Sequence, residues 1–293
     1  MNNKQKQQEK TSFSGVYFSW IIIALIVFSS VVSTKFSSEE VKNAEWYQFL
    51  SYALSGLVIL FTTVLLCLYT KNPIEESCKL NKAEKKYYIY AILLSISAIF
   101  GIGGINGLFT EFLIKNFGYS PTPIVLPEFS WGKYLLVLLT LCFIPAIAEE
   151  IAFRGILLRD VKSGNIYVNA LIGGLFFSLF HMNPAQTPYQ FVMGFFFSLI
   201  ALKSKSVFPV MVAHFINNAF IVTAEYFFPN YLSNTTVFIV LTVFGLLFFA
   251  LFVFLIVREK TEEQEKGDLK TFFISSIVGI LFCLLIWIAG FLG

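Results

Sequence analysis

Nine apolar stretches separated by polar loops restrict this chain to few fold classes. Most have the roughly 20 residues that a helix, rising about 1.5 Å per residue, needs to cross about 30 Å of hydrocarbon. Hydrophobic residues make up 57% of the chain and charged residues only 13%, far outside the range of a soluble domain. The sequence therefore predicts an all-α polytopic membrane protein. The nine stretches are 15–34, 47–69, 87–109, 134–158, 166–182, 189–202, 207–228, 237–257 and 271–292.

The topology rests on stretch 189–202, which is short for a membrane span. At about 1.5 Å per residue it covers only about two thirds of the hydrocarbon. If all nine stretches span and the N-terminus is cytoplasmic, the inner loops carry 16 Lys and Arg residues and the outer loops carry 4. If this stretch fails to span, each side carries 10. The positive-inside rule therefore favours nine spans, with the N-terminus inside and the C-terminus outside.

The charge and cysteine content exclude several classes of partner. The formal net charge is only +3, and the basic residues are spread over the loops, so nucleic acid is not a predicted partner. The four cysteines lie far apart without a C-x-x-C spacing, which indicates packing residues and not a disulfide framework or metal site. Of 21 basic residues only three are arginine, a preference typical of an AT-rich bacterial genome. We therefore expect a bacterial cell membrane.

Ionisable residues interrupt three of the apolar stretches. Glu149, Glu150 and Arg154 lie in the fourth, His181 lies at the end of the fifth, and His214 lies in the seventh. Hydrocarbon penalises charged and polar groups, so residues of this kind inside a membrane usually have a function. The functional site is therefore predicted among these three stretches.

Helical spacing gives the residues of the fourth stretch different tasks. Glu150 and Arg154 are four positions apart on one face and can pair, whereas Glu149 points about 100° away and stays available. Pro145 lacks an N–H and is expected to kink the helix just before them. The ion pair alone is equally consistent with a purely structural clasp between helices. The second carboxylate beside it favours a functional site.

The depths of these residues in the membrane agree. At about 1.5 Å per residue, Glu149, His181 and His214 lie about 15, 22 and 12 Å from the cytoplasmic ends of their stretches. Helix tilts near 20° account for this scatter. His214 and Asn218 also share a helical face, with Asn217 beside them as an alternative partner. We therefore expect one shared site.

The chemistry of this set suits amide hydrolysis. A carboxylate and a neutral imidazole can hold a water molecule and remove its proton. A second imidazole and an asparagine amide can donate hydrogen bonds to the oxyanion that forms.

Three motifs in chain order carry a family resemblance. They are Glu149-Glu150-x-x-x-Arg154, Phe177-x-x-x-His181 and His214-x-x-x-Asn218. Together they resemble the CPBP family of intramembrane proteases, which includes the type II CAAX prenyl endopeptidases and bacterial proteins linked to bacteriocin processing and immunity. The resemblance covers about 134–228.

The resemblance implies a hydrolase and assigns roles to the motif residues. Glu149 and His181 would activate water, and His214 with Asn218 would form the oxyanion hole. Glu150, Arg154 and Phe177 would support the site.

A zinc ion is the one cofactor that the resemblance raises, because the family has been described both as zinc-dependent and as glutamate-based. If zinc is bound, its ligands would be Glu149, His181 and His214, and two histidines with a glutamate are a known catalytic set. However, H-E-x-x-H is absent. We therefore favour water activation without a tightly held metal, and we predict no specific cofactor.

The apolar stretches and the resemblance together divide the chain into four parts. Residues 1–13 are a polar cytoplasmic tail predicted to be disordered. Residues 14–133 hold three transmembrane helices and an outer loop, 134–228 form a four-helix catalytic core, and 229–293 hold the last two helices. The expected partners are membrane lipid and a peptide or membrane-protein substrate.

Two other classes of function fit the buried ionisable residues. A proton-coupled transporter would keep them as a relay. A non-catalytic membrane scaffold of the same fold would bind a partner protein instead. The intact motifs favour an intramembrane endopeptidase over both alternatives.

Overall fold

The computed structural model describes residues 12–71, 78–121, 124–230 and 233–292, which contain ten helices and no β-strand. The prediction of an all-α polytopic membrane protein is confirmed. The helices are α1 (Phe13–Lys35), α2 (Glu39–Lys42), α3 (Glu45–Thr70), α4 (Lys85–Phe117), α5 (Trp131–Arg159), α6 (Ile166–Phe180), α7 (Thr187–Ser204), α8 (Phe208–Phe227), α9 (Thr235–Arg258) and α10 (Leu269–Leu292).

All nine predicted stretches are helical, but nine spans are not confirmed. Among the described residues, seven helices are long and apolar enough to cross a membrane, namely α1, α3, α4, α5, α8, α9 and α10. The other two, α6 and α7, have 15 and 18 residues and are joined by residues 181–186 into a tightly packed helical hairpin. The chain enters and leaves such a hairpin on the same side of the membrane, whether the hairpin crosses the membrane or only enters it. The sides predicted for the other loops, and with them the distribution of basic residues, are therefore the same whether or not α6 and α7 span.

Helix α5 departs twice from α-helical geometry. Its segments Leu138–Phe143 and Ile151–Ile156 are π-helical and flank one stretch of regular α-helix. The first lies just before Pro145, whose missing N–H leaves the carbonyl four residues earlier without its usual donor. This segment lies where the kink was expected. Both glutamates of the first motif lie between the two widened segments, an arrangement common at functional sites.

Two buried apolar clusters hold the helices together. The first joins α1, α3, α5, α6 and α10, and in it the ring of Phe153 lies 5.2 Å from that of Phe177 and 5.0 Å from that of Phe180. The second joins α4, α6, α7, α8 and α9. Helix α6 belongs to both clusters, so the helices that carry the three motifs are packed together through it.

Helix α4 is longer than predicted. It continues to Phe117 instead of ending near residue 109, and Gly118 ends it with a left-handed φ of 65°. Glycine adopts this conformation without steric cost. The predicted outer loop therefore starts at Gly118. At the loop's other end, the ring of Phe129 packs on those of Trp131 and Phe227, as expected for an aromatic anchor.

Most of the predicted tail, residues 1–11, lies outside the described residues. Helix α1 begins at Phe13, because the Ser12 hydroxyl accepts a hydrogen bond from the backbone N–H of Gly15. The same hydroxyl donates to Asp160 at 2.8 Å. The start of α1 is therefore attached to the loop that follows α5.

An ion pair beyond the end of α9 gives a pH-dependent contribution to stability. The Lys86 ammonium donates to Glu259 at 2.8 Å and lowers the pKa of this carboxyl from its ordinary 4.5, against a smaller opposing effect of burial, and the Tyr90 hydroxyl also donates to it. A lowered pKa means that the stabilisation is present above about pH 4.5 and is lost as the pH falls through the folded-state pKa.

We expect Glu259→Gln to lower the melting temperature in detergent at pH 7, with the difference from wild type shrinking below about pH 4.5. Glu263→Gln, a change at an exposed residue of the same loop, is the matched control. A difference between wild type and Glu259→Gln that stays constant down to pH 3 would contradict this account.

Candidate active site

A cavity of about 270 Å³ lies between α3, α5, α6, α7 and α8. Five residues of the three motifs line it, namely Glu149, Phe177, His181, His214 and Asn218. They come from α5, from the end of α6 and from α8. The structure thus brings these candidate residues to one cavity, while Glu150 and Arg154 lie behind it.

Glu150 and Arg154 form a fully buried ion pair behind the cavity. Arg154 Nη1 donates to Glu150 Oε1 at 2.9 Å, and both side chains are 0% exposed. Arg154 Nη2 also donates to the Gly194 carbonyl at 3.4 Å, and the guanidinium lies 4.1 Å from the centre of the Phe177 ring. The pair therefore connects α5 to α6 and α7, and Phe177 covers the guanidinium on its cavity side.

His214 is held by the same carboxylate. Its Nδ1 donates to Glu150 Oε1 at 2.8 Å, and its Nε2 lies 3.9 Å from Glu149 Oε2. One imidazole thus lies between the two glutamates of α5. The sequence did not indicate this contact, because residues on α5 and α8 have no fixed relation in chain spacing.

Phe177 orients His181 in two ways. The His181 Nδ1 lies 2.8 Å from the Phe177 carbonyl, and the two rings are 4.7 Å apart. Because a carbonyl can only accept, the hydrogen of a neutral imidazole is on Nδ1. Nε2 is then an acceptor. The F-x-x-x-H spacing therefore sets the tautomer of His181.

A chain of hydrogen bonds orients the asparagines of α8. The Tyr189 hydroxyl donates to Asn217 Oδ1 at 2.6 Å, and Asn217 Nδ2 donates to Asn218 Oδ1 at 3.3 Å. The Ser95 hydroxyl reaches the same Asn217 oxygen at 3.5 Å. This arrangement leaves Asn218 Nδ2 as a donor at the cavity. Neither Tyr189 nor Ser95 carried a signal in the sequence, because each looks like an ordinary residue of an apolar helix.

Four buried polar atoms have no hydrogen-bond partner among the described residues: Glu149 Oε2, Glu150 Oε2, Arg154 Nε and Ser198 Oγ. Buried polar groups are usually paired, so each exception calls for an explanation. Glu149 lines the cavity, where its carboxylate oxygen can accept a hydrogen bond from a water molecule or a substrate group.

The three candidate zinc ligands do not form a metal-holding group in this structure. Among the described residues, no three His, Cys, Asp or Glu side chains are arranged to hold a metal ion. The hydrogen bonds of His214 and His181 at Nδ1 do not count against a metal, because they leave Nε2 of each ring open. The arrangement of the three side chains is what does not fit a zinc site as it stands.

One family matches the part of the chain that forms this site. The profile of the type II CAAX prenyl endopeptidase Rce1-like family matches residues 131–220. The predicted resemblance to the CPBP/CAAX proteases is confirmed for this segment, and it supports a protease-like function in general terms. No curated protein and no solved structure matches the chain.

We expect Arg154→Met to lower the free energy of unfolding by about 3–5 kcal/mol, because it leaves the Glu150 carboxylate buried without its guanidinium. Equilibrium unfolding in detergent measures the change. Arg159→Met, at a partly exposed residue near the end of the same helix, is the matched control. The double variant Glu150→Gln/Arg154→Met should cost less than the sum of the two single variants. Additive costs would contradict the account of a coupled buried pair.

Proposed function

We propose that this protein is an intramembrane endopeptidase that hydrolyses a peptide bond with water activated by Glu149 and His181, and with an oxyanion hole formed by His214 and Asn218. The observation that supports this most directly is that all four side chains line one cavity. A shared cavity is what would allow the acceptors and donors that hydrolysis requires to act on one reacting group.

The contacts of His214 fit a donor role in this proposal. Its Nδ1 is directed to Glu150, and in the protonated ring Nε2 also carries a hydrogen that is available to an oxyanion.

In the proposed reaction a water molecule lies between Glu149 and His181 Nε2. Its oxygen bonds to the substrate carbonyl carbon while its proton passes to the Glu149 carboxylate. The carbonyl oxygen becomes an oxyanion and accepts hydrogen bonds from His214 Nε2 and Asn218 Nδ2. Glu149 then gives the proton to the amide nitrogen, the C–N bond breaks, and a carboxyl group and an amine are released.

Glu150, Arg154, Phe177 and Asn217 are positioning residues in this proposal. Glu150 fixes His214, and Asn217 fixes the amide of Asn218. Phe177 sets the tautomer of His181 through its carbonyl. Such supporting contacts keep reacting groups within the narrow range of productive geometry.

We propose a multi-pass location in a bacterial cell membrane, with the N-terminus cytoplasmic and the C-terminus outside. The orientation is supported by the 16 basic residues of the inner loops against 4 in the outer loops. The preference for lysine over arginine supports the bacterial source. The proposed substrate is a peptide or membrane-protein segment, as in the CAAX-type proteases that the matched family describes.

We expect Glu149→Gln and His181→Ala each to lower the cleavage rate of a membrane-peptide library by at least about 100-fold, because each removes half of the water-activating pair. The assay uses the purified full-length protein, with melting temperature as the check on folding. Glu225→Gln, the same chemical change at an exposed residue of α8, is the matched control. Undiminished cleavage by either active-site variant would refute the mechanism. Proton-coupled flux into liposomes without any cleavage would favour a transporter instead.

We expect peptide cleavage to persist after exhaustive chelation, with no stoichiometric zinc found by elemental analysis, because Glu149, His181 and His214 do not form a metal-holding group. The comparison is between untreated enzyme and enzyme dialysed against a chelator. Loss of cleavage on chelation together with recovery on addition of zinc would contradict this expectation.

A further inference from the structure

A second cavity of about 300 Å³ adjoins the candidate active site. It lies between α4, α7 and α8, and Ile99, Gly103 and Asn106 form its α4 wall. Its other lining residues, including Asn217 and Asn218, also line the first cavity. The proposed oxyanion donor Asn218 therefore lies at the boundary between the two spaces.

The second cavity is rich in carboxamides and has no charged residue among those that line it. Its five carboxamides are Asn106, Gln186, Gln190, Asn217 and Asn218. Each carries both a hydrogen-bond donor and an acceptor, as a peptide group does. Polar side chains are costly in a membrane protein and are kept where they have partners or a function.

Three of these carboxamides have hydrogen-bonding groups to spare. Asn106 Oδ1 accepts from the backbone N–H of Tyr189 at 3.2 Å, which leaves its Nδ2 available. The side-chain amides of Gln186 and Gln190 have no hydrogen-bond partner among the described residues. The five amides therefore do not use all their hydrogen-bonding groups on one another.

A substrate segment cut inside a membrane needs such groups. In a helix all backbone hydrogen bonds are internal, so the segment must unwind before a carbonyl can be attacked. Unwinding frees N–H and C=O groups, and in hydrocarbon each unpaired group costs several kcal/mol. Carboxamides next to the reacting carbonyl can replace the lost hydrogen bonds.

We propose that the second cavity binds the unwound peptide backbone on one side of the scissile bond, through the side-chain amides of Asn106, Gln186 and Gln190. The inference rests on the proposed endopeptidase function and specifies its substrate. The bound segment is internal to the substrate chain and has no charged side chains, because neither a terminal carboxylate nor a charged side chain meets a counter-ion among the lining residues.

Two glycines of α4 offer a matched test. A Cβ at Gly103 would meet only the Ala98 carbonyl oxygen at 3.7 Å and Tyr189 Cε2 at 4.0 Å, so a side chain there fits locally and extends into the second cavity. A Cβ at Gly107, one turn further along α4, meets nothing within 4 Å. Gly103→Leu therefore fills the cavity, and Gly107→Leu makes the same change outside it.

The substrates are a transmembrane peptide that wild-type enzyme cleaves and two shortened forms, each ending close to the cleavage site on one side. For the full-length peptide we expect Gly103→Leu to lower kcat/KM at least tenfold, mainly by raising KM, and Gly107→Leu to leave it unchanged. Gln190→Leu, a second variant that removes one amide, should lower kcat/KM about two- to tenfold, the range for one hydrogen bond. The peptide shortened on the side that the second cavity binds has no segment to place there. For this peptide, Gly103→Leu and Gln190→Leu should each have the same kcat/KM as wild type. A Lys or Asp placed in that segment should also reduce cleavage by wild type.

The possible outcomes distinguish a failure of this inference from a failure of the proposed function. If wild type cleaves and Gly103→Leu cleaves the full-length peptide equally well, the inference fails while the proposed function stands. If Gly103→Leu impairs cleavage of both shortened peptides as much as that of the full-length one, the effect is on catalysis, and the inference fails. If wild type cleaves no peptide in the library, the proposed function fails and the inference fails with it.

Discussion

The arrangement of the site depends on the hydrogen bonds that the buried Glu150 carboxylate accepts. One of its oxygens accepts hydrogen bonds from both Arg154 and His214, so it joins two residues of α5 to α8. Arg154 extends the connection to α7 through the Gly194 carbonyl. Because a charge buried without its partner is strongly destabilising, these contacts oppose any large relative movement of the three helices. The position of His214 relative to Glu149 follows from them.

The interruptions of α5 explain how two adjacent glutamates take different tasks. The stretch that carries them lies between two π-helical segments, with Pro145 near its start. Glu150 faces the buried arginine, whereas Glu149 faces the cavity. A widened helical turn is less favourable than a regular one, so it persists where the surrounding packing supports it. Here the buried ion pair and the aromatic packing of Phe153 provide that support.

Residues of the α6–α7 hairpin line both cavities. Its connecting residues carry His181 at one end and Gln186 at the other, and both line the first cavity. Tyr189, just inside α7, donates to Asn217 and so connects the hairpin to α8. In the proposed endopeptidase, the ionic network behind the first cavity would fix the reacting groups, and the amide-lined second cavity would accept uncharged segments.

The sequence alone determined the class of fold and the identity of the motif residues. Long apolar stretches require helices in a membrane, because only internal hydrogen bonding satisfies the backbone there, and ionisable residues such as Glu149 and His181 stand out against that background. The end of α4 at Gly118, the contact of His214 with Glu150, the role of Tyr189 and the second cavity were decided only by the tertiary structure. Chain spacing fixes which side chains share one helical face, but the approach of separate helices depends on packing across the whole bundle.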